Sequence, residues 1–156
     1  MHCAPAGRSG KLPPMRQPLP SRDATHALAA RIAGLARAGD AILLEGPLGA
    51  GKSEFARAFL RAITADPALE VPSPTFTLVQ TYDSPSGPIH HFDLWRLDGP
   101  AALEELGWDD LVQDIVLVEW PDRLGPLAPH DSLTIRLAES GSESRDATLT
   151  GWETRL

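Results

Sequence analysis

The spacing of apolar and polar positions changes several times along the chain, and each change marks an element. From Ser21 the apolar residues Leu28, Ile32 and Leu35 recur at helical spacing; Ser21 or Asp23 is placed to cap, and Gly39 closes the segment. AILLE (41–45) is a short apolar run followed by glycines, which predicts a buried strand. A second helix is predicted from near Gly51, with Phe55, Phe59 and Ala62 or Ile63 on one face, and Asp66-Pro67 stops it. TFTLVQTY (75–82) alternates as a strand, SPSGP (84–88) is dense in turn residues, and IHHFDL (89–94) follows as the partner strand. AALEELGWDDL (101–111) predicts one or two short helices. DIVLVEWPD (114–122) contains a second buried-strand run that ends in Glu119. Finally SLTIRL (132–137) and DATLTG (146–151) alternate around SGSES, an antiparallel hairpin.

Helix and strand alternate first and strands dominate later, which predicts an α/β fold: a mixed sheet flanked by helices, with a C-terminal antiparallel hairpin. Neither an internal repeat nor a second domain is visible. The 156 residues suit one domain, taken as 21–156, and 42% apolar content is globular in character. Residues 1–20 carry five prolines, Arg8, Lys11 and Arg16 and no acid, and read as a disordered lead or as an over-early start with Met15 nearer the true one. They lack the apolar core of a secretory signal. No stretch approaches the roughly 18 apolar residues of a membrane span. The single Cys3 cannot form an internal disulfide, so a reducing cytoplasm fits.

Charge narrows the function. Of 14 basic residues three fall in the lead, which leaves 11 against 21 acids, a net of −10 for the remainder. Phosphate-backbone binding rests on clustered Lys and Arg, so this body is not expected to hold RNA or DNA by itself.

EGPLGAGKS (45–53) carries the chemistry. Gly46, four residues, then Gly51-Lys52-Ser53 fit the P-loop pattern, with a buried strand before and a helix after. Glycines let the backbone curl so that several N–H groups of Gly46, Pro47, Leu48, Gly49, Ala50, Gly51, Lys52 and Ser53 converge on one anion, proline alone contributing none. The helix N-terminus adds its positive dipole end. Lys52 supplies a cation for the outer phosphates, and the Ser53 hydroxyl can ligate Mg²⁺. The chain has only two lysines, Lys11 and Lys52, and arginine cannot easily replace a slim ammonium in a phosphate nest. The common GTPases read guanine with Asn-Lys-x-Asp, and this chain has no asparagine, so ATP is the expected nucleotide.

A P-loop also needs a carboxylate for Mg²⁺ and a group that positions the attacking nucleophile. Two strand-end acids compete, Asp93 and Glu119, and by pattern alone Glu119 looks more like the metal acid of a Walker B strand. The metal candidates are therefore Ser53, Asp93 and Glu119. His91 and Asp93 face the same way on a strand, so His91 could orient that carboxylate, whereas His90 reads as an ordinary strand residue. Pro72 and Pro74 stiffen the approach to Thr75, whose hydroxyl could sense the γ-phosphate or could belong only to a turn.

EGPLGAGKS, SPTFTLVQTY, HFDLWRL, EELGWDDL and VEWPD, in that order over roughly residues 23 to 137, resemble the bacterial TsaE family, P-loop ATPases of tRNA threonylcarbamoyladenosine biosynthesis. The resemblance implies ATP on residues 46–53, Thr75 in a switch-like role, Asp93 as the Mg²⁺-orienting acid, Glu119 beside the attacking water or γ-phosphate, with the two carboxylates on either side of the same γ-phosphate, and Trp120 next to the nucleotide. It also implies partners, the TsaB and TsaD proteins, which transfer the threonylcarbamoyl group to an adenosine beside the tRNA anticodon. Three departures stand out: Ser53 where Thr is usual, Glu54 where another Thr is common, and Trp95 for the usual Tyr. Glu54 suits the helix dipole but would repel phosphate if it pointed inward. The competing readings are a small-molecule P-loop kinase and a nucleotide-dependent scaffold. A kinase lid rich in arginine is not visible, with only Arg96 and Arg123 near the presumed site.

Overall fold

The computed structural model describes residues 13–156. In chain order these form β1 (Met15–Leu19), α1 (Arg22–Leu35), β2 (Ala41–Glu45), α2 (Lys52–Ile63), β3 (Val79–Tyr82) and β4 (Ile89–Asp93). Then come α3 (Pro100–Glu105), α4 (Trp108–Leu111), β5 (Ile115–Glu119), a kinked 3-10 segment at Pro121–Leu127, β6 (Ser132–Glu139) and β7 (Arg145–Thr150).

All seven strands join one sheet in the order β1-β7-β6-β2-β5-β4-β3. The centre is parallel, with β2 between β5 and β6 and β4 beside β5. Both edges are antiparallel, β3 on β4 at one side and β6-β7-β1 at the other. This is the expected mixed sheet with a C-terminal hairpin. Strands β2 and β5 are apolar up to their terminal Glu45 and Glu119 because both faces of the sheet are covered there. Ile42, Leu44, Ile115 and Leu117 pack with Leu28, Ile32, Phe55 and Phe59 of α1 and α2. The alternate residues Ala41, Leu43, Val116 and Val118 pack on the other face with Leu103, Trp108 and Leu124.

Local chemistry explains the element ends. The Ser21 side chain accepts from the Ala24 amide at 3.2 Å and starts α1. Helix α2 starts after Gly51, which is left-handed (φ 101°) and has no side chain to cap the first-turn amides.

Two expectations need correction. Residues 15–19 are not a structureless lead: they pair with β7 from Met15↔Leu149 to Leu19↔Arg145. Pro18, which lacks a donor, is tolerated because β1 is an edge strand. The part of that expectation covering 1–12 lies outside the described residues. The strand expected over 75–82 begins only at Val79. Thr75–Leu78 form a turn instead, with the Leu78 amide donating to the Pro74 carbonyl at 2.7 Å and Leu78 itself left-handed (φ 66°).

Candidate functional site

In open α/β sheets ligands meet the carboxyl ends of the parallel strands. Here those ends carry the P-loop after β2, Asp93 ending β4 and Glu119 ending β5. Asp93 and Glu119 are register partners on neighbouring strands, and Leu44 of β2 is the partner of Glu119 on its other side. Parallel pairing thus brings together residues 26 positions apart in the chain. Both carboxylates, with Lys52, Ser53, Thr75 and Trp120, line a cavity of about 330 Å³.

The loop itself is shaped by glycine. Gly46 has φ 142°, and a Cβ there would fall 2.5 Å from the Leu137 carbonyl oxygen, so only glycine fits between loop and β6. The Ala50 amide donates to the Pro47 carbonyl at 3.1 Å and closes the curl. Leu48, Gly49, Gly51, Lys52, Ser53 and Glu54 reach the cavity. Gly46 and Pro47 line a neighbouring groove with Trp120, and Ala50 is buried.

Lys52 is buried, its Nζ donating to the Gly46 carbonyl at 2.5 Å and standing 3.3 Å from the centre of the Trp120 ring. Burial pushes the Lys52 ammonium below its ordinary value, and the charges of Glu119, Asp93 and Asp122 oppose that shift. Trp120 reaches this position from a left-handed backbone (φ 59°, ψ 54°), a conformation that costs a tryptophan energy and that clusters at functional sites. Trp95 packs on it with ring centres 4.4 Å apart.

Asp93 is held from three sides. Its Oδ2 accepts from Thr75 Oγ1 at 3.2 Å and Ser73 Oγ at 3.3 Å, and its Oδ1 accepts from the Trp95 amide at 3.0 Å. Thr75 therefore is more than a turn residue: it fastens the Pro-rich segment to the acid. Ser73, which sequence reasoning passed over, does the same.

The histidines separate. His90 is satisfied on both ring nitrogens, by Thr81 Oγ1 and Asp114 Oδ2, each at 2.8 Å, and is structural. His91 shares a sheet face with Asp93 but makes no hydrogen bond to it. Its Nε2 lies 2.8 Å from Glu119 Oε2, and the two side chains are 2% and 4% exposed.

Glu54 lines the cavity, but its carboxylate is engaged by basic side chains of α1 and α2. It pairs with His26 Nε2 of α1 at 2.5 Å and with Arg57 at 3.1 Å, and the His26 hydrogen bond holds its carboxyl below the ordinary value. Arg145 of β7 was not foreseen either. Its Nε donates to the Ala50 carbonyl at 3.1 Å and its Nη2 to the Gly49 carbonyl at 3.3 Å. It ties β7 to the loop between β2 and α2. No local signal marks it, since it lies 95 residues from Ala50. Arg96 and Arg123 do not line the cavity.

Set against known proteins, residues 19–147 match the family model "Threonylcarbamoyl adenosine biosynthesis protein TsaE". The chain belongs to the TsaE family. It is 34% identical over 128 residues to the tRNA threonylcarbamoyladenosine biosynthesis protein TsaE of Bacillus subtilis, covering 81% of this chain and 78% of that one. The TsaE proteins of Rickettsia conorii (35% identical; 82% and 70% covered) and Aquifex aeolicus (38%; 69% and 77%) are similar. A crystal structure of Bacillus subtilis YdiB superimposes with a TM-score of 0.70 and 27% identity, over 91% of this chain and 88% of that one. TsaE membership ties the chain to the biosynthesis of threonylcarbamoyladenosine in tRNA. No helix among the described residues is long and apolar enough to cross a membrane.

Proposed function

We propose that this chain binds and hydrolyses ATP in support of a partner complex that transfers the threonylcarbamoyl group to a tRNA adenosine next to the anticodon. The observation that carries the reading is the convergence of Lys52, Asp93 and Glu119 at the end of the parallel strands, on a glycine loop that opens a helix. Donor chemistry supports Mg²⁺ as well. The Ser53 hydroxyl and the Asp93 carboxylate are oxygen donors of the kind a hard divalent cation takes, and both residues line the cavity. Held by Ser53 and Asp93, Mg²⁺ would supply positive charge against the charge that develops on the transferring group.

The remaining roles belong to the chain. The first-turn amides of α2 and the Lys52 ammonium bind the phosphates of the substrate ATP. Thr75, tied to Asp93, couples the Pro72–Pro74 segment to the metal side of the site. Glu119, one strand over, orients a water for in-line attack and takes up its proton. Trp120 shields Lys52 from solvent and packs against the nucleotide.

TsaB and TsaD are the partners this reading names, in the cytoplasm, and they rather than this acidic chain would hold the tRNA. Two exposed apolar side chains support docking beside the cavity: Leu48 of the loop, 74% exposed, and Phe76, which follows Thr75 and is 82% exposed.

The test is nucleotide binding and turnover in variants. Lys52→Ala should lose ATP binding, and Glu119→Gln should bind ATP yet stop hydrolysis. Wild-type affinity in the first would remove the phosphate-grip argument. Phosphorylation of a metabolite by the lone wild-type protein would favour a small-molecule kinase.

A further inference from the structure

We propose that His91 is the positioning residue of Glu119: its imidazole fixes which oxygen of the carboxylate faces the cavity. The inference rests on the reading of Glu119 as the group that activates water.

The geometry is specific. Leu117 and Glu119 on β5 pair with His91 and Asp93 on β4. His91 therefore stands on the same sheet face as Glu119, one pleat further from the strand ends. From that position it reaches Oε2 from the core side. Glu119 has no other hydrogen-bonding side chain among the described residues, so Oε1 is left for the cavity that Glu119 lines. A carboxylate only accepts hydrogen bonds, so Nε2–H is the donor. That agrees with the other nitrogen: Nδ1 is buried and has no hydrogen-bond partner. A donor proton there would have nowhere to go, which selects the tautomer with hydrogen on Nε2.

The contrast with His90 argues against a merely packed ring. His90, next in the chain on the opposite face, has partners for both nitrogens and serves the scaffold. His91 leaves Nδ1 unsatisfied, a cost that an apolar side chain at the same place would avoid. The one bond this imidazole does make is to the carboxylate beside Lys52 and Asp93. Holding the base of a reaction in one rotamer is the role in which that bond matters, because displacement of a reacting group by about 1 Å can cost ~100-fold in rate.

Two variants and one spectroscopic reading test this in the intact chain. His91→Leu removes the donor, and His91→Gln returns an amide N–H near the Nε2 position. Both are expected to keep the wild-type affinity for ADP. His91→Leu is expected to lose turnover by ~10- to 100-fold, and His91→Gln to recover most of it. The ¹⁵N spectrum of the wild-type ring is expected to have hydrogen on Nε2 and none on Nδ1, and it stands even where a variant does not fold. Equal loss in both variants, wild-type turnover in His91→Leu, or the opposite tautomer overturns the inference. Glu119→Gln separates the two levels of the argument. If it is inactive while His91→Leu is fully active, positioning alone has failed; if it hydrolyses ATP like wild type, the assignment of Glu119 has failed and positioning falls with it.

Discussion

Arg145→Met isolates the brace between β7 and the P-loop. The guanidinium makes two bonds to the loop, at 3.1 Å to the Ala50 carbonyl and 3.3 Å to that of Gly49, while its other bonds go to Ser144 and Gly141 in its own hairpin. Gly49 is exposed, so water can replace that bond and it counts for little. Ala50 is 1% exposed, and its bond to a charged donor is worth about 1.5–3 kcal/mol. Methionine keeps most of the apolar stem against Gly51. If the shape of the loop depends on that bond, the loss lowers the fraction of loops ready for phosphate, and the apparent Kd rises by the same factor. The upper bound is ~10- to 150-fold, from one factor of ten per ~1.4 kcal/mol; about tenfold is expected because a freed carbonyl can find water. Turnover of bound ATP should not change, since Asp93 and Glu119 are untouched. Titration with ADP, followed by Trp120 fluorescence, gives the Kd, and single-turnover hydrolysis gives the rate. An affinity within twofold of wild type in a folded variant would refute the brace.

Other expectations concern stability and metal. Asp40 and Arg155 form a two-pronged pair at 2.6 and 2.9 Å, at the end of β2 away from the P-loop. Arg155→Leu should destabilise the fold by about 2 kcal/mol, less than a fully buried pair because Arg155 is partly exposed, and leave ADP affinity alone, as denaturant unfolding and titration can check. The Glu54 carboxyl is lowered by His26 from its ordinary value of 4.5, so its stabilising contribution is complete above about that pH and is lost as pH falls through the lowered value. Unfolding curves of wild type and Glu54→Gln should therefore converge in acid and separate above it; a constant gap would contradict the His26 bond. Asp93→Asn should raise the Mg²⁺ concentration needed for half-maximal turnover by about tenfold or more, and an unchanged Mg²⁺ dependence would move the metal role elsewhere.

What could be read from the chain alone follows from where the controlling physics is local. Helices α1 and α2, strand β2 and the loop between them carry their own signals: a Ser21 cap, period-3.6 apolar residues, and glycines that must be left-handed. Strand β1 carries almost none, because only Leu19 of its five residues is buried and its order comes from backbone pairing with β7. Thr75 to Leu78 alternate like a strand, yet the prolines before them and the left-handed Leu78 turn the chain. The P-loop and its helix were legible, as were both strand-end acids, but their adjacency was implied only by the family resemblance, since parallel register is a tertiary property that spacing does not carry. For the same reason the spacing of His91 and Asp93 suggested the wrong carboxylate partner for the imidazole. Arg145 had no sequence signal at all; it is defined by carbonyls that lie across the fold.

Reconstitution tests the central claim most directly. Wild-type protein, Lys52→Ala and Glu119→Gln are each combined with TsaB, TsaD, threonylcarbamoyl donor, tRNA and ATP, and the modified adenosine is counted over repeated cycles. The account predicts sustained modification with the wild-type protein and none beyond the unassisted level with either variant. Sustained modification by Lys52→Ala, or by Glu119→Gln at the wild-type rate, would contradict it.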